Sequence, residues 1–372
     1  MQNMKVAALV SGGVDSSVAL ALLKEQGHAV TAYYLKIWLE DDLSSLGECP
    51  WEDDLSYVRS VCEKLDVELK IINLQKEYWD RVVNYCIEQV KLGYTPNPDV
   101  LCNSRVKFAA FFDAVQHDFD FVATGHYADT QYDATHNVRY LRRVRDQIKD
   151  QTYFLANLNQ SQVQKIIFPL APYLKEEIRE LAHKFDLPNK HRKDSQGICF
   201  LGKIKYADFL KHYLKEQKGD IIEITSRKKI GSHNGYWYFT IGQRKGMGLG
   251  GGPWIVVDKD LNQNIVFVQN ELEFERTKKV TDASGLVTDT VFTITNCNWI
   301  ATPPPQQCKV KLRHGPKIYS CELQKSGDDS YIVTIPNTTV AVAPGQYAVF
   351  YDDVYCYGCG VVSSLASEVK HE

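Results

Sequence analysis

Residues 11–17 have the composition of a loop that binds phosphate. Their sequence, SGGVDSS, follows a short apolar run and precedes an apolar-periodic stretch, so it joins a predicted strand to a predicted helix. Backbone amides and the helix dipole favour an anion at such a junction. Gly12 and Gly13 let the backbone approach a ligand, the serines add hydroxyl donors, and Asp15 is a candidate Mg²⁺ ligand. The lysine-containing P-loop, GxxxxGK[ST], is absent, and a solvated Gly/Ser turn is the alternative interpretation.

Two of the ten cysteines lie beside residues that could activate a thiol. Cys102 follows the proline-containing string TPNPDVL and lies ahead of a helix predicted over residues 105–117. A cysteine near a helix N-terminus has a stabilised thiolate, and Lys107 could strengthen this effect. Cys199 lies in KDSQGICFLG, close to basic residues 190–193. Taken singly, either cysteine is more often structural than reactive.

The elements that would position these residues alternate between strands and helices. Strands are predicted over 5–10, 28–36, 68–74 and 119–124, and helices over 18–23, 51–65, 78–92 and 105–117. This alternation predicts an α/β fold with a doubly wound parallel sheet and helices on both faces. Ligands of such sheets bind beyond the carboxyl ends of the strands, which is where SGGVDSS, TPNPDVLC and TGHYA fall.

The character of the chain changes near residue 205. A last helix is predicted over 206–215, and short strands and glycine-rich turns follow, including the long loop GQRKGMGLGGG. Short alternating runs over 278–362 predict a small β-barrel. We therefore expect an α/β domain over residues 1–204, a small central domain over 205–277 and a C-terminal β-barrel domain over 278–372.

Composition restricts the compartment and the partners. The chain has 372 residues, 44% of them hydrophobic, and no stretch reaches the ~18 consecutive apolar residues of a membrane span. The first residues lack secretory features and the cysteines are scattered, so we expect a cytoplasmic protein with reduced thiols. A net charge of −3 disfavours a general nucleic-acid binder. Three local basic clusters (139–149, 190–193 and 309–317) remain, each either an RNA-docking surface or a solvated face.

Seven strings, in this order, are similar to those of the tRNA-specific 2-thiouridylase family: SGGVDSS, TPNPDVLCN, ATGHYA, KDQTYFL, DSQGICFLG, FTIGQRKGMGLGG and PGQYAVFYD. The loop SGGVDSS by itself resembles that of the N-type ATP pyrophosphatases, which release pyrophosphate and adenylate an acceptor oxygen. The resemblance implies ATP-dependent 2-thiolation of the wobble uridine of lysine, glutamate and glutamine tRNAs. The C2 oxygen would be adenylated, and sulfur would come from a cysteine persulfide.

The resemblance also implies roles for residues of this sequence. Cys199 would carry the persulfide, Cys102 would form a disulfide with it as sulfur is released, and Asp99 would be the acid/base. The residues facing the target base would be Asn97, Pro98 and Asp99. The implied ATP site comprises Leu9, Val10, Ser11, Gly12, Gly13, Val14, Asp15, Ser16, Leu35 and Gly125. The implied tRNA contacts are His126, Lys149, Asp150, Gln151, Arg313, His314 and Gln346. The resemblance also makes residues 1–204 the catalytic domain and residues 205–277 a tRNA-binding domain.

The implied ligands follow from the same resemblance. ATP and Mg²⁺ would be consumed or bound transiently, and neither a tightly bound cofactor nor a structural metal is expected. The partners would be tRNA and a sulfur donor, either a relay protein or a cysteine desulfurase, and the protein would be a monomer. The target base would leave its stack to enter the site. Because the two cysteines must meet, a hinged loop carrying one of them is expected.

A few positions depart from the family pattern. Leu35 stands where methionine is common, and His314 stands where tyrosine is common beside the arginine. Cys356 and Cys359 form a CxxC, but no second pair at metal spacing accompanies it, so adventitious cysteines of the barrel are favoured. Three further cysteines are predicted to be packing residues: Cys49, Cys62 and Cys86.

Three rival functions stay open on the sequence alone. An adenylating ligase with a small-molecule substrate would not need Cys102 or Cys199. An iron–sulfur-dependent tRNA thiolase would need three clustered ligand cysteines. An RNA-binding protein with a relic nucleotide loop would not hydrolyse ATP in the presence of tRNA.

Overall fold

The fold begins with a parallel sheet, as predicted. The computed structural model describes residues 3–37, 51–115, 118–193, 206–277, 289–338 and 340–365. Five strands pair in parallel in the order β3-β2-β1-β4-β7. They are β1 (Lys5–Leu9), β2 (Ala29–Lys36), β3 (Glu68–Asn73), β4 (Phe121–Ala123) and β7 (Ile166–Ile167).

Helices cover both faces of this sheet. On one face α1 packs with α2 and α9 around buried Val18, Val58 and Ile178. On the other, the helical segments between residues 75 and 115 enclose a second core that includes Val82 and Phe108. The described helices are α1 (Val14–Glu25), α2 (Trp51–Leu65), α3 (Gln75–Tyr78), α4 (Asn84–Lys91), α5 (Pro98–Cys102), α6 (Phe111–Val115), α7 (Thr152–Leu155), α8 (Gln160–Val163), α9 (Lys175–Lys184), α10 (Tyr206–Tyr213) and α11 (Glu271–Thr277). A doubly wound sheet is therefore confirmed.

Three further helical segments, which are not α-helical, complete the helical structure that the described residues show. A π-helical segment, Trp79–Val83, joins α3 to α4, and another, Asn103–Ala110, joins α5 to α6. A 3₁₀ turn covers Tyr236–Tyr238. None of the helices in the described ranges is both long and apolar enough to cross a bilayer.

The central region forms a four-stranded sheet in the order β10-β11-β8-β9. Its core contains Ile221, Val256, Val266 and Val268. The glycine-rich run that follows Phe239 has neither helical nor strand structure, as predicted. The strands are β8 (Gly219–Glu223), β9 (Lys229–His233), β10 (Trp254–Asp260) and β11 (Ile265–Asn270).

The last region is a closed barrel, as predicted. Its strands follow the order β12-β15-β14-β13-β16-β17, and pairing of β12 with β17 closes the sheet. They are β12 (Thr290–Trp299), β13 (Gln307–Lys311), β14 (Tyr319–Gly327), β15 (Ser330–Ile335), β16 (Tyr347–Tyr351) and β17 (Tyr355–Leu365).

A hairpin that the sequence analysis did not predict joins the barrel to the first region. Strands β5 (Asp129–Asp133) and β6 (Val138–Arg142) pair with each other, and β6 pairs with β17. Tyr347 and Tyr351 of the barrel belong to the same buried cluster as the second face of the parallel sheet. The first and last regions therefore share both a sheet and a core.

Candidate active site

The phosphate loop lies where the strand order of the parallel sheet reverses. Strands β2 and β3 lie on one side of β1, whereas β4 and β7 lie on the other. Such a reversal opens a crevice at the carboxyl ends of the two central strands, which is the usual ligand site of these sheets. Residues 10–13 follow β1 at this point, and residues 124–128 follow β4.

The start of α1 offers backbone amides to an anion. Gly13 holds the N-cap position with an extended backbone (φ −74°, ψ 157°), and no side chain in the described part of the chain caps this helix. The first amides of a helix have no intrahelical acceptor. Gly12 has φ +80°, and a Cβ there would lie 2.6 Å from the carbonyl oxygen of Asp54. Glycine is therefore required at position 12 by both conformation and space.

Two side chains beyond α9 fix the shape of the phosphate loop. The amide of Asn189 donates to the carbonyl oxygen of Gly12 at 2.8 Å and to Oγ of Ser17 at 2.9 Å. The guanidinium of Arg192 donates to the same Gly12 carbonyl at 3.0 Å and pairs with Asp54. Sequence analysis had placed Arg192 only in a basic cluster and had not identified Asn189.

The carboxylate of Asp15, predicted as a Mg²⁺ ligand, is held by a lysine and a tyrosine. The ammonium group of Lys175 donates to both carboxylate oxygens, at 2.6 and 2.9 Å. The hydroxyl of Tyr127 donates to Oδ1 at 3.1 Å, and the ammonium lies 5.7 Å from the centre of the Tyr127 ring. Carboxylate oxygens suit Mg²⁺, so the residue type fits a transient metal, provided that Lys175 gives up its contact.

Gly125 and Leu35 lie at the same edge of the sheet. A Cβ on Gly125 would lie 2.6 Å from the amide nitrogen of Ser16, so the loop after β4 touches the first turn of α1. Leu35 is the penultimate residue of β2 and is half-buried. Three other implied ATP residues are buried in the core and can offer only backbone groups: Leu9, Val10 and Val14.

The segment with Cys102 is helical from Pro98 onward, which corrects the predicted start at residue 105. The side chain of Asn97 accepts a hydrogen bond from the amide of Val100 at 3.3 Å, and proline occupies the first turn. Both features favour a helix start. Cys102 is therefore the fifth residue of the helix and 2% exposed. The helix dipole acts mainly on the first turn, so its support for a Cys102 thiolate is weaker than predicted.

The loop residues Asn97 and Asp99 lie close to aromatic side chains and to the barrel. Burial raises the pKa of Tyr153, and a hydrogen bond with Asn97 opposes this shift. The ring of His314 lies near Tyr153 and Phe154, with centroid distances of 6.4 and 4.6 Å. Partial desolvation and the charge of Lys311 lower the pKa of His314, whereas Asp150 and Asp99 oppose the shift. The barrel thus brings His314 to the half-buried Asp99.

Arg313 and Gln346 line one cleft between the central region and the barrel. The cleft has a volume of about 240 Å³, and Thr240, Gly242 and Gln243 form its other wall. The side chain of Gln346 donates to the carbonyl oxygen of Thr95 at 2.8 Å, two residues before Asn97. This hydrogen bond connects one implied tRNA contact, Gln346, to the segment that leads to Asn97.

The remaining implied tRNA residues are more internal than the resemblance suggested. Asp150 is 2% exposed, and its carboxylate binds Arg143 and Thr152, which corrects the idea of a tRNA contact through its side chain. Gln151 accepts a hydrogen bond from the amide of Tyr127 at 2.9 Å. The backbone amide of Lys149 donates to Asp146 at 3.1 Å, and its side chain is half-buried.

His126 is half-buried in the loop that follows β4. Burial and the charge of Lys107 lower the pKa of His126 to about 3. Its Nδ1 lies 2.9 Å from the hydroxyl of Thr124. A contact between His126 and tRNA would therefore be a hydrogen bond without ionic character.

The arginines of the basic cluster at 139–149 form ion pairs or hydrogen bonds with neighbouring side chains. Arg142 pairs with Asp129, Arg143 with Asp150, and Arg145 with Glu177. The guanidinium of Arg139 donates to Thr130 at 3.0 Å. The side chain of Arg143 is 13% exposed and acts within the fold, whereas those of Arg142 and Arg145 are 40% and 59% exposed and face solvent.

Most of the described cysteines are buried, and Cys297 is half-buried. Cys199 and Cys49 lie outside the described residues, so the predicted approach of Cys102 and Cys199 is neither supported nor opposed. Cys356 and Cys359 are buried in β17, where burial raises the pKa of both thiols. Cys62 and Cys86 are buried, and desolvation raises their pKa values to about 11 and about 12. No group of three metal-ligating side chains occurs within the ranges that the structure covers.

Comparison with known proteins places this architecture in a family. Residues 4–203 match the tRNA methyl transferase HUP domain, residues 207–270 the tRNA methyl transferase PRC-barrel domain, and residues 289–362 the aminomethyltransferase beta-barrel domain. A solved 4-thiouridine synthetase–RNA complex with bound ATP matches 56% of this chain and 50% of its own at 17% identity, with a TM-score of 0.33, too low to argue from.

Curated relatives match the chain over nearly its whole length. The tRNA-specific 2-thiouridylase MnmA of Parabacteroides distasonis is 43% identical over 96% of this chain and 99% of the relative. The tRNA-specific 2-thiouridylase MnmA of Porphyromonas gingivalis is 42% identical over 97% of this chain and 99% of the relative. The chain belongs to the family of tRNA-specific 2-thiouridylases.

Proposed function

We propose that this protein is an ATP-dependent tRNA sulfurtransferase that converts the wobble uridine of lysine, glutamate and glutamine tRNAs to 2-thiouridine. The observation that carries the proposal is full-length similarity to thiouridylases, combined with an uncapped α1 behind a glycine loop. The proposed division of labour assigns activation to residues 1–204, and RNA binding to residues 205–277 and the barrel region 278–372. The sulfur donor is a relay protein or a cysteine desulfurase.

Activation begins with ATP in the crevice at the reversal point of the sheet. The amides of α1 and the loop bind the β- and γ-phosphates, and Asp15 binds Mg²⁺ that arrives with ATP. The C2 oxygen of uridine attacks the α-phosphorus, and the bond to pyrophosphate breaks. This step matters because the carbonyl oxygen is a poor leaving group, whereas AMP is a good one. Fixed amides stabilise the charge on the departing pyrophosphate, and a Mg²⁺ ion held by Asp15 would add to this stabilisation.

Sulfur then replaces the activated oxygen. The terminal sulfur of a Cys199 persulfide attacks C2, and AMP leaves with the former C2 oxygen. The thiolate of Cys102 then attacks Sγ of Cys199. The bond between this Sγ and the sulfur now attached to C2 breaks, which releases the thiolated base and leaves a disulfide between Cys102 and Cys199. A dithiol reductant resets the pair by supplying two electrons. Cys102 is 2% exposed, so its thiol must be uncovered before this attack.

The segment at Asn97–Asp99 is suited to hold the extruded base. Asn97 caps α5, so its backbone position is fixed by the helix that follows. The half-buried carboxylate of Asp99 can transfer a proton to or from the base. An unpaired anticodon base is the least costly to extrude, because it has no partner to lose.

Docking of the tRNA backbone is assigned to the cleft between the central region and the barrel. Arg313 is exposed at its wall, and an arginine can bind a phosphate through two parallel hydrogen bonds. Such contacts make affinity depend on salt, because each neutralised phosphate releases counterions.

The deciding experiment is mass spectrometry of nucleosides from tRNA incubated with the protein, ATP, Mg²⁺ and a persulfide-generating donor. We expect a uridine in which sulfur replaces oxygen with the wild type, and its loss with Cys199→Ser. Cys297→Ser is the matched control, since Cys297 is a half-buried cysteine of β12 outside the proposed chemistry. An added methyl group, as the descriptions of the matching domain models would suggest, or full activity of Cys199→Ser, would refute the proposal.

A further inference from the structure

The phosphate loop of this protein lacks a cation of its own. The lysine of a GxxxxGK[ST] loop reaches the β- and γ-phosphates, but SGGVDSS contains only an acid, Asp15. Its backbone amides can bind an anion, yet the departing pyrophosphate gains charge during adenylation and is best stabilised by a fixed positive group. A side-chain cation that adds to the amides and Mg²⁺ would have to come from another part of the chain.

Lys175 is held at the loop by several independent contacts. Its backbone amide donates to Asp146 at 3.0 Å, at the first residue of α9. The preceding Leu174 amide donates to Glu177 at 2.6 Å, which fixes the start of the helix. The side chain is 14% exposed and ends at the carboxylate of Asp15. The backbone of Lys175 is therefore fixed at the start of α9, and its ammonium group is held at the start of α1.

The pairing of Lys175 with Asp15 has little value as a purely structural contact. The attraction within a mostly buried ion pair often does no more than offset the free energy lost on dehydrating the two charges. Proteins with apolar side chains in place of such a pair are therefore frequently as stable. Here the pair lies in the first turn of α1, beside the amides proposed to bind phosphate. The other nearby cation, Arg192, is bonded to the Gly12 carbonyl and to Asp54, which fits a brace of the loop.

We propose that Lys175 is the pyrophosphate-contacting cation of this enzyme and that it exchanges Asp15 for the β- and γ-phosphates when ATP binds with Mg²⁺. This inference rests on the proposed ATP-dependent function. Without nucleotide, the lysine and the carboxylate neutralise each other. With nucleotide, Asp15 turns to Mg²⁺ and Lys175 to the phosphate oxygens, so each charge keeps an opposite partner throughout. Tyr127, which donates to Asp15, limits how far the carboxylate can move.

The test compares binding of ATP and of AMP by the full-length protein. Lys175→Met should weaken ATP binding, and slow AMP formation in the presence of tRNA, on the order of a hundredfold. AMP has no pyrophosphate, so its affinity should stay unchanged. Lys175→Arg should recover part of the loss. Lys184→Met is the matched control, because Lys184 lies in the same helix, is 62% exposed and pairs with Glu25 at 3.1 Å.

The outcomes separate this inference from the proposed function. Equal weakening of ATP and AMP, or no weakening of either, would overturn the role of Lys175. If Lys175→Met does not fold, as judged by circular dichroism, Lys175→Gln carries the same comparison because its amide can still donate to Asp15. If the wild type binds ATP but thiolates no tRNA, the proposed reaction fails, while the comparison of ATP with AMP still decides the role of the lysine.

Discussion

Replacing Gly125 with alanine tests whether the ATP site depends on the contact between the loop after β4 and the start of α1. The new Cβ would lie 2.6 Å from the amide nitrogen of Ser16 and 2.8 Å from its Cα, whereas ordinary contacts begin at 3.4 Å. Both atoms belong to the backbone and cannot rotate away. The loop after β4 and the first turn of α1 must therefore move apart by most of an ångström. A shift of about 1 Å can lower a reaction rate about a hundredfold. Overpacking of this kind costs about 1–3 kcal/mol of stability.

The assay is formation of AMP and pyrophosphate with tRNA present, together with urea unfolding. Gly125→Ala should lower kcat/KM for ATP about a hundredfold, with a loss of unfolding free energy of about 1–3 kcal/mol. Gly327→Ala is the control, since its Cβ would meet at 2.5 Å only the hydroxyl of Ser330, which can rotate. Wild-type cleavage of ATP by Gly125→Ala would refute the idea that this close approach sets the geometry of the phosphate loop.

Three further predictions follow from the described contacts. Asn97→Ala should lower the free energy of unfolding by about 1 kcal/mol through loss of the helix cap, and Asn97→Asp should restore it, as measured in urea. Burial lowers the pKa of Lys259 from 10.5 to about 8, so between these pH values the unfolded chain binds more protons than the folded protein. The free energy of unfolding should therefore rise with pH over this range, by at most about 3 kcal/mol relative to Lys259→Met. Parallel curves of stability against pH for the two proteins would contradict this. The thiols of Cys356 and Cys359 should resist iodoacetamide at pH 8 until the protein unfolds, as peptide mass spectrometry would reveal.

Elements with a strong local pattern could be predicted closely from the sequence. The helix Trp51–Leu65 has the predicted bounds, and β2 differs from its prediction by one residue. Both are specified by nearby residues, because apolar periodicity is a local property. The hairpin of β5 and β6 was missed because its first strand, Asp129–Asp133, is polar and its outer partner, β17, lies more than 200 residues away along the chain. Nearby residues carry no pattern that would predict a pairing between strands so far apart in the sequence.

The candidate site shows the same division between local and distant information. The phosphate loop could be found from seven consecutive residues, whose glycines and position after a strand carry the chemistry. Lys175 and Asn189 could not, because each contacts the loop from at least 160 positions away and neither belongs to a recognisable motif. Arg142, Arg143 and Arg145 illustrate the same point, because their charge is visible in the sequence but their acidic partners are not.

The segment at residues 93–97 is held by the central region and by the barrel, neither of which carries it. Lys259 of β10 donates to the carbonyl oxygen of Gly93 at 2.6 Å, and Gln346 beside the barrel donates to that of Thr95 at 2.8 Å. Each hydrogen bond contributes about 1 kcal/mol, or more where the donor is charged. Asn97 follows Thr95 by two residues, and the intervening Pro96 has a fixed φ. The backbone therefore has little conformational freedom between the hydrogen bond at Thr95 and Asn97, which is proposed to face the base. RNA that moves either region must therefore also move, or strain, the loop proposed to hold the uridine.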